Sequence, residues 1–140
     1  MIQEILKRCG KYLEKIIISE YYRCDCMCSI ADYCKNIQSI IFHDFSLEGI
    51  KNISRNCSNI SELCFHSTRA DTEQTEKALA QLFSNNRKLK VLKIKSFYIG
   101  SFECLLKLPL NELEEIKINP YNPYEDREYM GLKLAVKSSG

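Results

Sequence analysis

Four cysteines lie close together in the first quarter of the chain, and their type and spacing could support metal or redox chemistry. Three form a C-x-C-x-C run and the fourth follows six residues later; they are Cys24, Cys26, Cys28 and Cys34. Four thiolates can hold zinc tetrahedrally, but structural zinc sites usually take C-x2–4-C pairs from two separate segments. The run is tighter than that. A cysteine-rich loop is therefore the favoured interpretation, and a small zinc- or copper-binding or redox-responsive protein stays as the alternative.

The two histidines form a second candidate cluster. His43 and His66 each follow the last apolar residue of a predicted strand by one position. Neighbouring parallel strands are about 4.8 Å apart, so the two imidazoles would lie side by side. No carboxylate or cysteine in that column completes a ligand set. We interpret the pair as hydrogen-bonding surface residues, with metal binding or a pH switch as the alternatives.

Motifs for catalysis are missing from the sequence. The chain has no Gly-rich phosphate loop, no G-x-S-x-G and no H-E-x-x-H. Its polar residues show no convergent set of nucleophile, base and orienting group. We therefore expect a protein that is not an enzyme and needs no cofactor.

A repeated pattern must position all of these residues. It consists of an amphipathic helical segment followed by a strand segment L-x-x-L-x-L, and it occurs five times; we call the two segments the helical phrase and the strand phrase. The strand phrases are Leu13/Ile16/Ile18, Ile37/Ile40/Phe42, Ile60/Leu63/Phe65, Leu89/Leu92/Ile94 and Leu113/Ile116/Ile118. The helical phrases, apolar at i, i+3, i+4 and i+7, are Ile2/Ile5/Leu6/Cys9, Met27/Ile30/Ala31/Cys34, Ile50/Ile53/Ser54/Cys57, Leu79/Leu82/Phe83/Asn86 and Phe102/Leu105/Leu106/Pro109. The first residues of the strand phrases are 24, 23, 29 and 24 positions apart, a period typical of leucine-rich repeats.

A single unit cannot bury both the apolar stripe of its helix and the apolar residues of its strand, so neighbouring units must stack. The pattern predicts an α/β fold, a short right-handed solenoid with about five parallel strands on its concave face and helices on its convex face. We number the units from first to fifth. The solenoid is expected to cover residues 1–118. Residues 119–140 are expected to form a Pro/Tyr turn followed by a C-terminal cap helix over 126–138 or a partial sixth repeat, with a disordered tail as the alternative.

Local signals place the ends of the helices. Asp25, Ser46, Asp71 and Ser101 each stand just before a helical phrase and are predicted N-caps. The longer spacing between the third and fourth units falls in the polar segment 67–76, which predicts a longer loop and a longer fourth helix. Cys9, Cys34 and Cys57 share one place at the end of successive helices, where a small apolar thiol suits close packing.

Composition limits the classes of partner. The chain has 140 residues and a formal net charge of +2, with basic and acidic side chains interleaved. This charge is too small to favour nucleic acid or a membrane surface. No apolar run approaches the roughly 18–20 residues of a membrane span, and no signal peptide is recognisable. We expect a cytoplasmic or nuclear protein, a monomer or part of a longer repeat array.

The repeat resembles the cysteine-containing class of leucine-rich repeats found in F-box/leucine-rich-repeat and ribonuclease-inhibitor-like proteins. The resemblance is carried by the pattern C-x-x-[LI]-x-x-[LI]-x-[LIF] in residues 9–18, 34–42 and 57–65. It implies a protein–protein interaction module similar to the substrate-recognition repeats of F-box-like ubiquitin-ligase adaptors, with a ubiquitination substrate as partner. No F-box precedes the repeats in this sequence, so we expect the chain by itself to lack the adaptor-docking element.

The side chains between the strand leucines are the predicted partner-binding residues. They are Lys15, Ile17, Ser39, Ile41, His43, Glu62, Cys64, His66, Lys93, Lys95, Glu115 and Lys117. The middle column is apolar in the first three units and basic in the last two. An apolar centre with flanking charges is typical of a surface that recognises another protein.

Overall fold

The computed structural model describes residues 2–18, 26–42, 46–65, 68–70, 73–99, 103–109, 111–120 and 132–135. The α-helices are α1 (Ile2–Cys9), α2 (Cys26–Tyr33), α3 (Leu47–Asn56) and α4 (Glu73–Asn85), and short 3-10 helices span Gly10–Tyr12 and Glu103–Lys107. The strands are β1 (Lys15–Ile18), β2 (Ser39–Phe42), β3 (Glu62–Phe65), β4 (Thr68–Ala70), β5 (Val91–Ile99), β6 (Glu115–Pro120) and β7 (Leu132–Ala135).

The fold is α/β, with one sheet in the order β1-β2-β3-β5-β6-β7. The first five of these strands run parallel to one another, and β4 adds a further parallel pairing with the end of β5. Corresponding residues of the strand phrases lie directly opposite each other, so the spacing in the sequence became the register of the sheet. Among the described helices, none is long and apolar enough to cross a membrane.

The core lies between the sheet and a row of helices. Each helix packs on the next along the chain, from α1 to α4 and then to the 3-10 helix Glu103–Lys107. In the second, third and fourth units the helix stripe and the strand leucines are both buried, as the repeat predicts. Phe42 and Phe65 stack at the ends of β2 and β3, with ring centroids 6.0 Å apart. Neighbouring units therefore complete each other's core.

Backbone hydrogen bonds repeat from unit to unit with the same geometry. The carbonyl oxygen of Glu14 accepts from two successive amides of the second unit, at 2.9 Å each. The carbonyls of Gln38, Ser61 and Lys90 do the same for the third, fourth and fifth units, at 2.7–3.0 Å. One carbonyl per unit thus ties each strand to its neighbour at the point where the strand begins.

Helix ends follow the local signals where the structure describes them. Ser46 caps α3, with the Gly49 amide donating to its Oγ at 3.0 Å, as predicted. Asp25, Asp71 and Ser101 lie outside the described residues. The fourth helix is the longest of the described helices, at 13 residues, which confirms the expectation from the long spacing. Part of the expected loop 67–76 forms β4 instead, paired with β5 from Thr68↔Phe97 to Ala70↔Ile99.

The fifth helical phrase is wrong as an α-helix and at Leu106, whereas Leu105 packs against the core as predicted. The described residues form a five-residue 3-10 helix in which Cys104 is buried and Leu106 is 81 % exposed. Pro109, the last residue of the phrase, cannot continue a helix, because its ring clashes with the preceding turn and it has no backbone N–H to donate. A short turn with three residues per turn presents a different face from an α-helix.

The helix expected over 126–138 is wrong at residues 132–135, which form β7. This strand pairs antiparallel with β6, with Ile118 opposite Leu132 and Ile116 opposite Leu134. Leu132 and Leu134 lie two positions apart, which fits a strand, whereas the apolar spacing of the whole segment 126–138 fits a helix. The free edge of β6 offers unpaired backbone groups, and that long-range opportunity decided between the two.

The first unit is less well covered than the others. Ile5 in α1 is 57 % exposed, whereas its counterparts Ile30 and Ile53 are 1 % and 0 % exposed. The strand residues Ile16 and Ile18 are half-buried, while the matching residues of β2 and β3 are buried. The difference indicates that a unit needs a neighbouring unit on each side to bury its apolar residues fully.

Candidate functional site

The face of the parallel sheet that is turned away from the described helices holds the predicted binding residues. Side chains alternate along each strand, so one set enters the core and the other set points away from the helices. We call the second set the open face; its described members are Lys15, Ile17, Ser39, Ile41, Glu62, Cys64, Val91, Lys93, Lys95, Glu115 and Lys117. All of these are partly or fully exposed. His43 and His66 lie outside the described residues.

The strand register arranges the open face in two straight rows. The first row runs Lys15, Ser39, Glu62, Val91 and Glu115, and the second runs Ile17, Ile41, Cys64, Lys93 and Lys117. Each row therefore brings together residues that are about 100 positions apart in sequence at its two ends. Lys95 stands one step beyond the second row on β5.

Polar contacts link the charged residues of the first row to one another and to Lys93 of the second row. The Ser39 hydroxyl donates to Glu62 Oε1 at 2.7 Å, and Lys15 Nζ lies 3.8 Å from the same oxygen. Lys93 Nζ lies 3.8 Å from Glu115 Oε1. Exposed ion pairs of this kind contribute roughly 0–1 kcal/mol each to stability. Their main effect is to hold the charged groups in fixed positions across the strands.

The second row changes character along its length. Ile17 is 65 % exposed, and Ile41 and Cys64 are half-buried. Burial, and then the nearby Glu62 carboxylate, raise the pKa of the Cys64 thiol, so Cys64 stays neutral and acts as an apolar side chain. Lys93 and Lys117 follow with positive charges. The row presents an apolar segment that continues into a cationic one.

The predicted packing role of the repeated cysteines is confirmed for two of them. Cys34 and Cys57 are fully buried, and burial raises their thiol pKa to about 11 and about 12. The Cys57 thiol donates weakly to the Cys34 carbonyl at 3.6 Å. Cys9 is half-buried and its thiol donates to the Ile5 carbonyl at 3.0 Å. High pKa values keep a thiol protonated, which suits packing better than metal ligation.

The cysteine run is described only in part. Cys24 lies outside the described residues, and Cys26 begins α2. Cys28 accepts a hydrogen bond from Asn52 Nδ2 at 3.2 Å, which joins α2 to α3. Within the described part of the chain, no three metal-ligating side chains of His, Cys, Asp or Glu come together.

One polar feature of the site was not predicted from the sequence. A groove of about 590 Å³ runs across the sheet at the amino-terminal ends of the strands, where helices lead into strands. We call it the edge groove; it is lined by Asn36, Gln38, Asn59, Ser61, Lys88, Lys90 and Glu112. These residues stand directly before or after the first apolar residue of a strand phrase. Aligning the repeats on that residue would have revealed the two columns.

Comparison with protein-family models, with curated proteins and with solved structures finds no match to this chain. The functional assignment therefore depends on the geometry of the open face and on the chemistry of its side chains.

Proposed function

We propose that the chain is a short leucine-rich-repeat solenoid that binds a protein partner across the open face. The repeated hydrogen-bond ladder and the shared core of successive units support the solenoid interpretation. In such a fold the strands are too short to form a ligand cavity of their own. Their exposed side chains instead form a continuous surface suited to another protein.

The second row of the open face is the observation that carries this proposal. Its apolar segment, Ile17 to Cys64, can be desolvated by a partner without leaving a charge unpaired. Its cationic end, at Lys93 and Lys117, can select a partner by charge and fix the direction of binding. We expect the partner to present an apolar side chain against Ile41 and an acidic group beside Lys117.

The resemblance to F-box/leucine-rich-repeat proteins favours one kind of partner, a substrate of ubiquitination. The chain would then be a recognition module, alone or within a longer array, acting in the cytoplasm or nucleus. The small net charge, and the pairing of Lys15 and Lys93 with glutamates, fit protein recognition better than binding to a nucleic-acid backbone.

Affinity purification with crosslinking tests the proposal directly. Wild type is compared with Ile41→Glu and Lys93→Glu on the open face, and with Lys107→Glu, an exposed residue of the helix layer, as the matched control. We expect each open-face variant to reduce recovery of the specific partner at least about tenfold, because a buried charge or a reversed charge costs well over 1 kcal/mol at an interface. Circular dichroism confirms that each variant is folded.

The partner should also crosslink to lysines of the open face and not to those of the helix layer. Recovery of the same proteins with both open-face variants at wild-type levels would contradict the proposal. Equal loss with the Lys107→Glu control would show that net charge, and not the open face, governs the interaction.

A further inference from the structure

The edge groove is built by the same repeat as the open face, but on a different side of each unit. Its first column consists of the residues directly before the first apolar residue of each strand phrase, and its second column consists of the residues directly after it. The backbone carbonyls of Ser61 and Lys90 in this groove already have hydrogen-bond donors. The Ser61 carbonyl accepts from the Lys90 and Val91 amides, and the Lys90 carbonyl accepts from the Glu114 and Glu115 amides. The side chains are therefore what the groove offers to a ligand.

The half of the groove formed by the second and third units is neutral and rich in amides. Asn36 Nδ2 donates to the Lys11 carbonyl at 3.1 Å, and the Ser61 hydroxyl donates to the Gln38 carbonyl at 3.2 Å. In the described part of the chain, the side-chain amides of Gln38 and Asn59 have no hydrogen-bond partner. Each amide can both donate and accept, which matches the N–H and C=O groups of an extended peptide backbone.

The fourth unit gives the groove a positive charge. Lys88 and Lys90 both line it, and neither has an ion-pair partner among the described residues. Two lysines of the open face differ in this respect, since Lys15 and Lys93 are each paired with a glutamate. Beyond these two cations, Glu112 of the fifth unit forms the far end of the groove with a negative charge.

We propose that the edge groove binds an extended acidic peptide segment. The carboxylates of the segment lie at Lys88 and Lys90, its backbone lies on the amides of the second and third units, and a hydrogen-bond donor or basic residue lies at Glu112. Four units at about 4.8 Å spacing span about 14 Å, which corresponds to roughly four extended residues. A single small anion would use only the lysines and leave the amide half of the groove empty.

Fluorescence anisotropy with two labelled peptides tests this proposal. One short peptide carries several aspartate and glutamate side chains, and its matched partner carries the corresponding amides. Each is titrated with wild type, with the double variant Lys88→Glu/Lys90→Glu, and with the control Lys7→Glu/Lys107→Glu. The two double variants change the net charge equally, but Lys7 and Lys107 belong to the helix layer. None of these changes touches the open face, so the result is independent of the partner test above.

We expect the acidic peptide to bind wild type and the control at least about tenfold more tightly than it binds the groove variant. The amide peptide should bind wild type more weakly than the acidic peptide, and the difference should shrink at high salt. Equal weakening by both double variants would overturn the proposal, because it would show a general charge effect. Absence of binding to wild type, or undiminished binding to the groove variant, would overturn it as well.

Discussion

Removing the side chain of Asn86 should destabilise the fold more than any other single polar truncation at a helix end. Asn86 takes the place that cysteine holds in the first three units, and it is 1 % exposed. Its Oδ1 accepts from the Ile60 amide of the preceding unit at 3.0 Å, and its Nδ2 donates to the Leu82 carbonyl at 2.9 Å. The side chain thus joins the third unit to the fourth inside the core.

The magnitude for Asn86→Ala follows from these two bonds. The Ile60 amide would be left buried without its acceptor, which costs about 1–3 kcal/mol. The Leu82 carbonyl still accepts from the Asn86 backbone amide at 3.2 Å, so loss of the second bond adds only about 1 kcal/mol. We expect a total loss of about 2–4 kcal/mol in the free energy of unfolding.

The pH dependence of the stability of Asn86→Asp distinguishes the contributions of the two hydrogen bonds. A carboxylate can still accept from the Ile60 amide, but its second oxygen would face the Leu82 carbonyl, which is also an acceptor. Burial would raise the pKa of this aspartate above its unfolded value of about 3.9, because the charged form loses its hydration. The stability of this variant relative to wild type should therefore be greatest at acid pH and fall as the pH rises through the folded pKa.

Urea unfolding followed by circular dichroism measures both effects. With a slope of about 1–3 kcal/mol per molar urea, a loss of 2–4 kcal/mol lowers the midpoint by about 1 M or more. Asn85→Ala is the matched control, since the exposed Asn85 side chain donates to the carbonyl and the hydroxyl of Ser54, at 2.8 and 3.2 Å, and its loss leaves no backbone amide without an acceptor. Equal losses for the two alanine variants, or a loss below about 1 kcal/mol for Asn86→Ala, would refute the reasoning.

Three further predictions concern packing and thiol chemistry. In Gly49→Ala the new Cβ would lie 2.5 Å from the Cβ of Met27, so α2 and α3 must separate, and we expect a loss of about 1–3 kcal/mol in thermal or urea unfolding. Ile30→Asp should abolish cooperative unfolding, whereas the equivalent change at the exposed Ile5 should cost under about 1 kcal/mol. Burial raises the pKa of Cys57 to about 12, so iodoacetamide at pH 8 should label it in denaturant but not in the native protein, as read by peptide mass spectrometry.

The repeat predicted the parallel sheet and its register because both depend on local periodicity. Apolar residues at helical and strand spacing occur in every unit, and equal spacing between units places equivalent residues opposite each other. The rows of the open face follow from that register, which is why the repeat pattern alone groups Ile17, Ile41 and Cys64. Their role in binding a partner stays a prediction.

The errors lie where a segment had two acceptable local structures. Leu132 and Leu134 were assigned to a helix, and the free edge of β6 drew them into a strand. The phrase around Leu106 has the helical spacing, but Pro109 cannot continue a helix, and a short 3-10 helix forms instead. The pairing with β6 is a long-range influence and is not visible in the pattern of the segment itself, whereas Pro109 is a local signal within its own phrase.

Local periodicity sets the content of each unit: its helix, its strand, its buried stripe and the order of its exposed side chains. How the units end and what they enclose depends on long-range packing. The β7 strand covers one edge of the parallel sheet, α1 leaves Ile5 exposed at the other, and the edge groove appears only where Lys88 and Lys90 stand beside the amides of earlier units. Periodicity fixes what each residue does within its own unit, whereas edges and grooves depend on which distant residues become neighbours.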